Sequence, residues 1–169
     1  EFRRVLFRSL GEVRDDAYLN IVARYADGWN SVPVSPDEYR QKWSRVADAF
    51  RRAGRDPEVV TRSLEIQVLI APTRARVREI LEECAALAPA PRFVANPDVV
   101  THLRDAPKDG PPLPTDVASK WIIGTPDEVD AQLRAFATEG VSHIMFWFAD
   151  FPSHDGMRLF AEEVMPRWR

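Results

Sequence analysis

Helix-period and strand-period segments alternate along this chain, and that alternation restricts it to parallel β/α architecture. Tyr18, Ile21, Val22 and Tyr25 recur at i, i+3, i+4 and i+7, which predicts an amphipathic helix that stops before Gly28. A short strand through Asp27 to Asn30 follows. Ser35-Pro36-Asp37-Glu38 then supplies a capping Ser, Pro at the first helical position and Glu three residues after the cap. The helix it opens carries a buried stripe of Tyr39, Trp43, Val46, Ala47 and Phe50, and Gly54 offers the left-handed residue that ends it.

Leu64, Ile66, Val68 and Ile70 alternate with Ser63, Glu65, Gln67 and Leu69, so a strand with a polar reverse face is expected there. Thr73 caps the next helix, where Val77, Ile80, Leu81, Cys84 and Leu87 share one side. A proline-rich irregular stretch runs from about residue 88 to 120, with a short helix expected after Asn96-Pro97. Thr125-Pro126-Asp127-Glu128 repeats the capping box: Thr125 is expected to accept the N–H near Glu128, and Glu128 to reach back. Val129, Leu133 and Phe136 form that helix's buried face and Gly140 ends it. Val141 to Phe148 reads as the last strand, and Asp155 to about Arg167 as the last helix.

Composition narrows the function classes. The chain has 169 residues, 45% hydrophobic and 29% charged, enough apolar content for one packed core and too much for a disordered segment. A net charge of -3 leaves no basic footprint for nucleic acid. No apolar run reaches bilayer-spanning length, and one cysteine excludes an internal disulfide framework, so a cytoplasmic setting is expected. His102, His143 and His154 fall in different elements without ligand spacing, and no metal is expected. Cys84 lies on an apolar helix face, where a small buried hydrophobe is the expected role.

Three segments carry a resemblance. Ala23-Arg24-Tyr25-Ala26-Asp27-Gly28-Trp29-Asn30, Ile122-Ile123-Gly124-Thr125-Pro126-Asp127-Glu128-Val129 and Phe160-Ala161-Glu162-Glu163-Val164-Met165-Pro166 together resemble the luciferase-like flavin- or F420-dependent oxidoreductases. Their order and spacing match the C-terminal half of that family's TIM-type (β/α)8 barrel over roughly residues 11 to 169. The resemblance implies an α/β fold of about three parallel strands with flanking helices, in the places of strands six, seven and eight, leaving the barrel incomplete. Such an open sheet exposes apolar faces and edges, so an isolated half-barrel is expected to be unstable or to associate. Residues 1–9, with Arg3-Arg4-Val5-Leu6-Phe7-Arg8-Ser9, match what a sequencing adaptor encodes in frame and are read as an artefact; residues 10–169 form the half-barrel.

The resemblance also implies coenzyme F420 or FMN in the barrel mouth and hydride transfer or monooxygenation of a small organic substrate by the intact parent. The ring site and acid-base residues of the family come from N-terminal strands, so no catalytic residue is assigned here. Gly11 and Arg14 resemble the tail of a Gly-rich phosphate loop whose leading glycines are absent. The start of the helix at Gly124-Thr125-Pro126 is the competing anion site, although an ordinary cap explains every residue there. Trp29 and Asn30, at a strand's C-terminal end, are the remaining cofactor candidates, with space-filling as the alternative for Trp29. Gln67, Phe148 and Asp150 are the substrate candidates; Glu65 is read as a structural buttress, and His143 as structural at the opposite face. A homodimeric parent is compatible with this reading. The alternatives are another β/α-barrel enzyme, such as a hydrolase, and a non-catalytic binding module.

Overall fold

A computed structural model describes residues 16–87, 97–107 and 110–169. Gly11, Arg14 and the nine-residue start lie outside the described residues. The chain forms two compact units: Glu1–Ile66 with Arg134–Phe146, and Gln67–Leu133 with Trp147–Arg169.

In the first unit, helix α1 (Asp16–Tyr25) buries Leu19, Val22 and Ala23. The expected stripe is rotated, since Ile21 and Tyr25 are exposed and the neighbouring small residues Ala23 and Ala26 take the inner face. Arg55 donates to the carbonyls of Ala23 at 3.0 Å and Ala26 at 2.8 Å, satisfying acceptors that a helix end leaves open. Helix α2 (Pro36–Arg52) starts on the full capping box, with Glu38 N–H donating to Ser35 Oγ at 3.3 Å and Ser35 N–H to Glu38 Oε2 at 2.9 Å. Its buried face contains the five expected residues, and Gly54 past its end has φ +72°.

Strand β1 (Gly28–Ser31) pairs in parallel with the first half of β2 (Thr61–Ile70), from Gly28 opposite Thr61 to Ser31 opposite Leu64. Alternation then decides which side chains face α2. Trp29 meets Tyr39 and Trp43 at ring-centroid distances of 5.2 and 5.9 Å, while the Arg62 guanidinium lies 4.1 Å from the Trp43 ring centroid. Tyr39 also meets Phe136 edge-on at 6.5 Å. Its hydroxyl is buried without a partner among the described residues, and burial pushes the phenol upward despite nearby Arg62. On the polar face of β2, Ser63 Oγ lies 2.9 Å from His143 Nδ1, in keeping with the structural role expected for that histidine.

In the second unit, the second half of β2 pairs in parallel with β3 (Trp121–Gly124), Gln67 opposite Trp121 through Ile70 opposite Gly124. The alternation pattern predicts no strand over this short apolar run. Helix α3 (Arg74–Ala85) starts with Arg76 N–H donating to Thr73 Oγ1 at 3.2 Å. Helix α4 (Pro97–Asp105) is the expected helix after Asn96-Pro97, and α5 (Thr115–Ala118) also falls within 88–120. Val77 and Leu81 of α3, Val99 and Leu103 of α4, and Trp121 and Ile123 of β3 share one core with Leu69. Helix α6 (Pro126–Thr138) buries Val129 and Leu133 in this unit and Phe136 in the first, as expected, and Gly140 beyond it, also in the first, has φ +83°.

Strand β4 (His143–Phe148) pairs with β2. Ser142 N–H donates to Arg62 O at 2.9 Å and Ala149 N–H to Val68 O at 2.8 Å; both numbers rise together, so the strands run parallel. The described residues therefore hold four strands rather than about three, and β2 bonds to the other three. None of the residues of β4 is fully buried, and Trp147 is 59% exposed, which is the apolar exposure expected of an open sheet. The last helix is less regular than its sequence suggested: α7 (Asp155–Leu159) passes into a π-turn over Phe160–Val164 and a 3₁₀ turn over Met165–Trp168.

Candidate functional site

The residues singled out by sequence fall into different units. Trp29 and Asn30 belong to the first, at 2% and 3% exposure, and Gln67, Phe148 and Asp150 belong to the second. Packing between Tyr39 and Trp43 consumes the Trp29 ring, so the geometry supports its space-filling role. In the second unit Gln67 is half-buried on the polar face of β2, and Phe148 meets the Phe160 ring edge-on at 5.9 Å.

Asp150 is placed by the loop that follows β4. Its Oδ2 accepts the Gly156 N–H at 2.8 Å, while Oδ1 is buried with no hydrogen-bond partner among the described residues. A Cβ at Gly156 would stand 2.9 Å from Oδ2, so the loop closes this tightly only on glycine. Asp150 lines a cavity of about 370 Å³ together with the apolar Ile70, Ile80 and Leu159 and the charged Arg76, Glu83 and Asp155. Ile70 ends β2 and Asp150 follows β4, so the cavity lies at strand C-termini, where β/α barrels gather their ligand contacts. Sequence reasoning found Asp150 but missed the α3 wall; the spacing of Arg76, Ile80 and Glu83 on one helical face was the available signal. Cys84 stays a thiol: burial pushes it up, and Glu83 and Asp150 add to the effect.

The start of α6 is already filled by a carboxylate. Glu128 Oε2 accepts from Thr125 N–H at 2.8 Å and from Thr125 Oγ1 at 3.1 Å, and Arg74 Nε donates to Oε1 at 2.5 Å. Glu128 therefore reaches back as expected, but the Thr125 hydroxyl donates to it instead of accepting the Glu128 N–H. An incoming anion would have to displace this carboxylate, so the cap reading holds over the phosphate reading.

Burial pushes the Glu128 carboxyl up, but hydrogen bonds from Arg74 and Thr125 outweigh it and hold the group below the ordinary glutamate value. A carboxyl lowered in the folded state contributes fully above its unfolded value and loses that contribution as pH falls through the folded one. Glu128→Gln should therefore be less stable than wild type near neutrality, and the gap should narrow below about pH 4. Urea midpoints across pH measure this, and a constant gap would rule the charged cap out.

Parallel strands joined through helices, with a cavity at their C-terminal ends, define part of a β/α barrel. A family model described as luciferase-like monooxygenase matches residues 13–143, and the chain belongs to that family. F420-dependent glucose-6-phosphate dehydrogenases of Mycolicibacterium fortuitum and Rhodococcus jostii are 29% and 30% identical, each match covering 88% of this chain and 46% of the relative. Among solved structures, an F420-dependent secondary alcohol dehydrogenase in complex with an F420-acetone adduct aligns with TM-score 0.60 and 19% identity, over 89% of this chain and 46% of that one. A riboflavin lyase with modified FMN and riboflavin aligns with TM-score 0.63 and 15% identity, over 92% and 41%. The chain thus spans under half the length of the relatives it matches.

The described residues do not by themselves fit a flavin-type cofactor. Trp29 and Asn30 are buried, and the 370 Å³ cavity is at the small end of the roughly 300–1,000 Å³ typical of ligand sites.

Proposed function

We propose that this chain is the C-terminal portion of an F420-dependent oxidoreductase acting on a small organic molecule. The observation that carries this reading is the family match over residues 13–143 together with relatives named for F420 at 29% and 30% identity. FMN is the second reading, supported by the fold shared with an FMN-bearing lyase. In this reading Gly11, Arg14 and Asn30 serve the cofactor, which is bound only together with an upstream half-barrel. Trp29 serves it indirectly by fixing β1 against α2. Gln67, Phe148 and Asp150 serve the substrate. The chain alone is inactive, and a cytoplasmic setting accords with its single cysteine.

Fluorescence titration of F420 and FMN tests this, using the 169-residue chain and a longer protein that joins it to the upstream segment its relatives possess. The longer protein should bind one cofactor with micromolar affinity, and the chain should bind neither. Micromolar binding by the monomeric chain would refute the division of the cofactor site, and no binding by the longer protein would refute the oxidoreductase reading.

A further inference from the structure

We infer that Trp147 is a further substrate-contacting residue, and that with Gln67 it selects a substrate presenting a flat, uncharged ring with a hydrogen-bonding edge. This rests on the reading of Gln67 as a substrate contact and adds a second residue and the substrate's chemical class.

The ladder between β2 and β4 brings the two positions together. Ala149 N–H donates to Val68 O at 2.8 Å, which in a parallel pair sets Ala149 beside Leu69 and, two residues back on each strand, Trp147 beside Gln67. Ala149 packs against the core that holds Leu69, as this register requires. Phe148 meets the Phe160 ring of the last helix at 5.9 Å, so Trp147 points to the opposite face, where its indole is exposed. On β2 the fully buried Val68 likewise leaves half-buried Gln67 on that other face. Leu69, the next residue there, belongs to the core shared with Val99 and Leu103 of α4, so the open patch ends at Gln67 and Trp147.

The chemistry of the pair selects its occupant. Tryptophan is highly buried on average, and Trp147 stands open one residue from the C-terminal end of β4, where β/α barrels gather ligand contacts. Its flat face favours a stacked ring by about fivefold or more in affinity. The Gln67 amide brings an acceptor and two donors without charge, and no side chain among the described residues hydrogen-bonds it. An apolar neighbour that merely covered the indole would bury this amide unpaired, which is unfavourable. A ring with a neutral donor–acceptor edge satisfies both side chains at once.

The test separates the flat face from the polar edge. 2-Quinolone carries both, quinoline the flat face with a lone acceptor, and δ-valerolactam the edge without an aromatic ring. Each is titrated into the 169-residue chain and followed by indole and amide shifts in NMR. 2-Quinolone should bind at least about fivefold more tightly than δ-valerolactam and about threefold more tightly than quinoline, with shifts centred on Gln67 and Trp147. Trp147→Leu should bring 2-quinolone to within about twofold of the lactam, Trp147→Phe should keep part of the preference, and Gln67→Leu should abolish the preference over quinoline. Affinity for 2-quinolone weaker than about 10 mM, shifts elsewhere, or preferences unchanged in these variants would each overturn the proposal. Should circular dichroism show Trp147→Leu to be unfolded, Trp147→Phe and Gln67→Leu decide. The longer protein saturated with F420 or FMN should still bind 2-quinolone; its displacement would assign the patch to the cofactor ring and overturn the substrate reading. The two readings fail separately: absent cofactor binding by the longer protein sinks the oxidoreductase reading, whereas absent ring preference alongside normal cofactor binding sinks only this one.

Discussion

Arg78→Met should destabilise the protein by about 3–5 kcal/mol, a large share of the roughly 5–15 kcal/mol that holds a typical domain folded. The Arg78 side chain is 6% exposed and lies on α3, yet its hydrogen bonds go to the end of α4. Nη2 donates to Leu103 O at 2.5 Å and to Ala106 O at 3.0 Å, and Nη1 donates to Pro107 O at 2.9 Å. Glu82 balances the charge at 3.1 Å. A helix end leaves its last carbonyls without intrahelical donors, and here a single planar guanidinium answers Leu103 O in the last turn of α4 and the carbonyls of Ala106 and Pro107 just beyond it. Methionine fills similar volume but supplies no donor, so three carbonyls lose a charge-assisted bond and the buried Leu103 oxygen keeps its desolvation penalty. Arg78→Lys should recover less than half of the loss, because a point ammonium cannot span the fork that Nη1 and Nη2 make. Guanidinium denaturation of the three proteins measures both values. A loss below about 1 kcal/mol for Arg78→Met would mean that α4 is held by Val99 and Leu103 alone.

Local chemistry was the legible part of this chain, and long-range polar contacts were the illegible part. Ser35, Gly54 and Gly140 act where their residue types say they should, because capping and positive φ depend on a few neighbouring residues. The alternation of Leu64, Ile66, Val68 and Ile70 likewise gave β2 its buried face without knowledge of any partner. β3 was missed as a strand because a four-residue apolar run has no readable period, and only its pairing with β2 makes it one. Arg55 and Arg78 carry no local signal of their role, because each reaches carbonyls more than 24 residues away. The candidate site shows the same division. Asp150 was legible from its place after a strand, whereas its link to Gly156 and the α3 wall depends on tertiary packing. Trp29 had the right position for a ligand contact, and three-dimensional packing against α2 gave it another task.

Gly124→Ala should cost about 2–5 kcal/mol, although the residue is small and sits at the end of a short strand. Gly124 has φ +143°, a conformation that L side chains rarely adopt, and strain there amounts to about 1–3 kcal/mol. Space adds to the strain. A Cβ on Gly124 would stand 2.8 Å from the Glu128 Cβ and closer still to its Oε2, so the carboxylate would have to leave Thr125 N–H. Losing that contact forfeits an N-terminal cap, worth about 0.5–2 kcal/mol, and loosens Arg74 from Glu128. Gly124 also accepts from Ala71 N–H at 3.2 Å, so a shift of its backbone would reach the segment that follows β2. A double-mutant cycle with Glu128→Ala separates the two causes, because alanine removes the carboxylate that a new Cβ meets. The double variant should be more stable than the two single losses added together predict, by about 1 kcal/mol or more, with the remainder measuring backbone strain together with the approach to the Cβ at position 128, which alanine keeps. Strict additivity in urea denaturation would show that the approach to the Glu128 carboxylate contributes nothing to the need for glycine at this position.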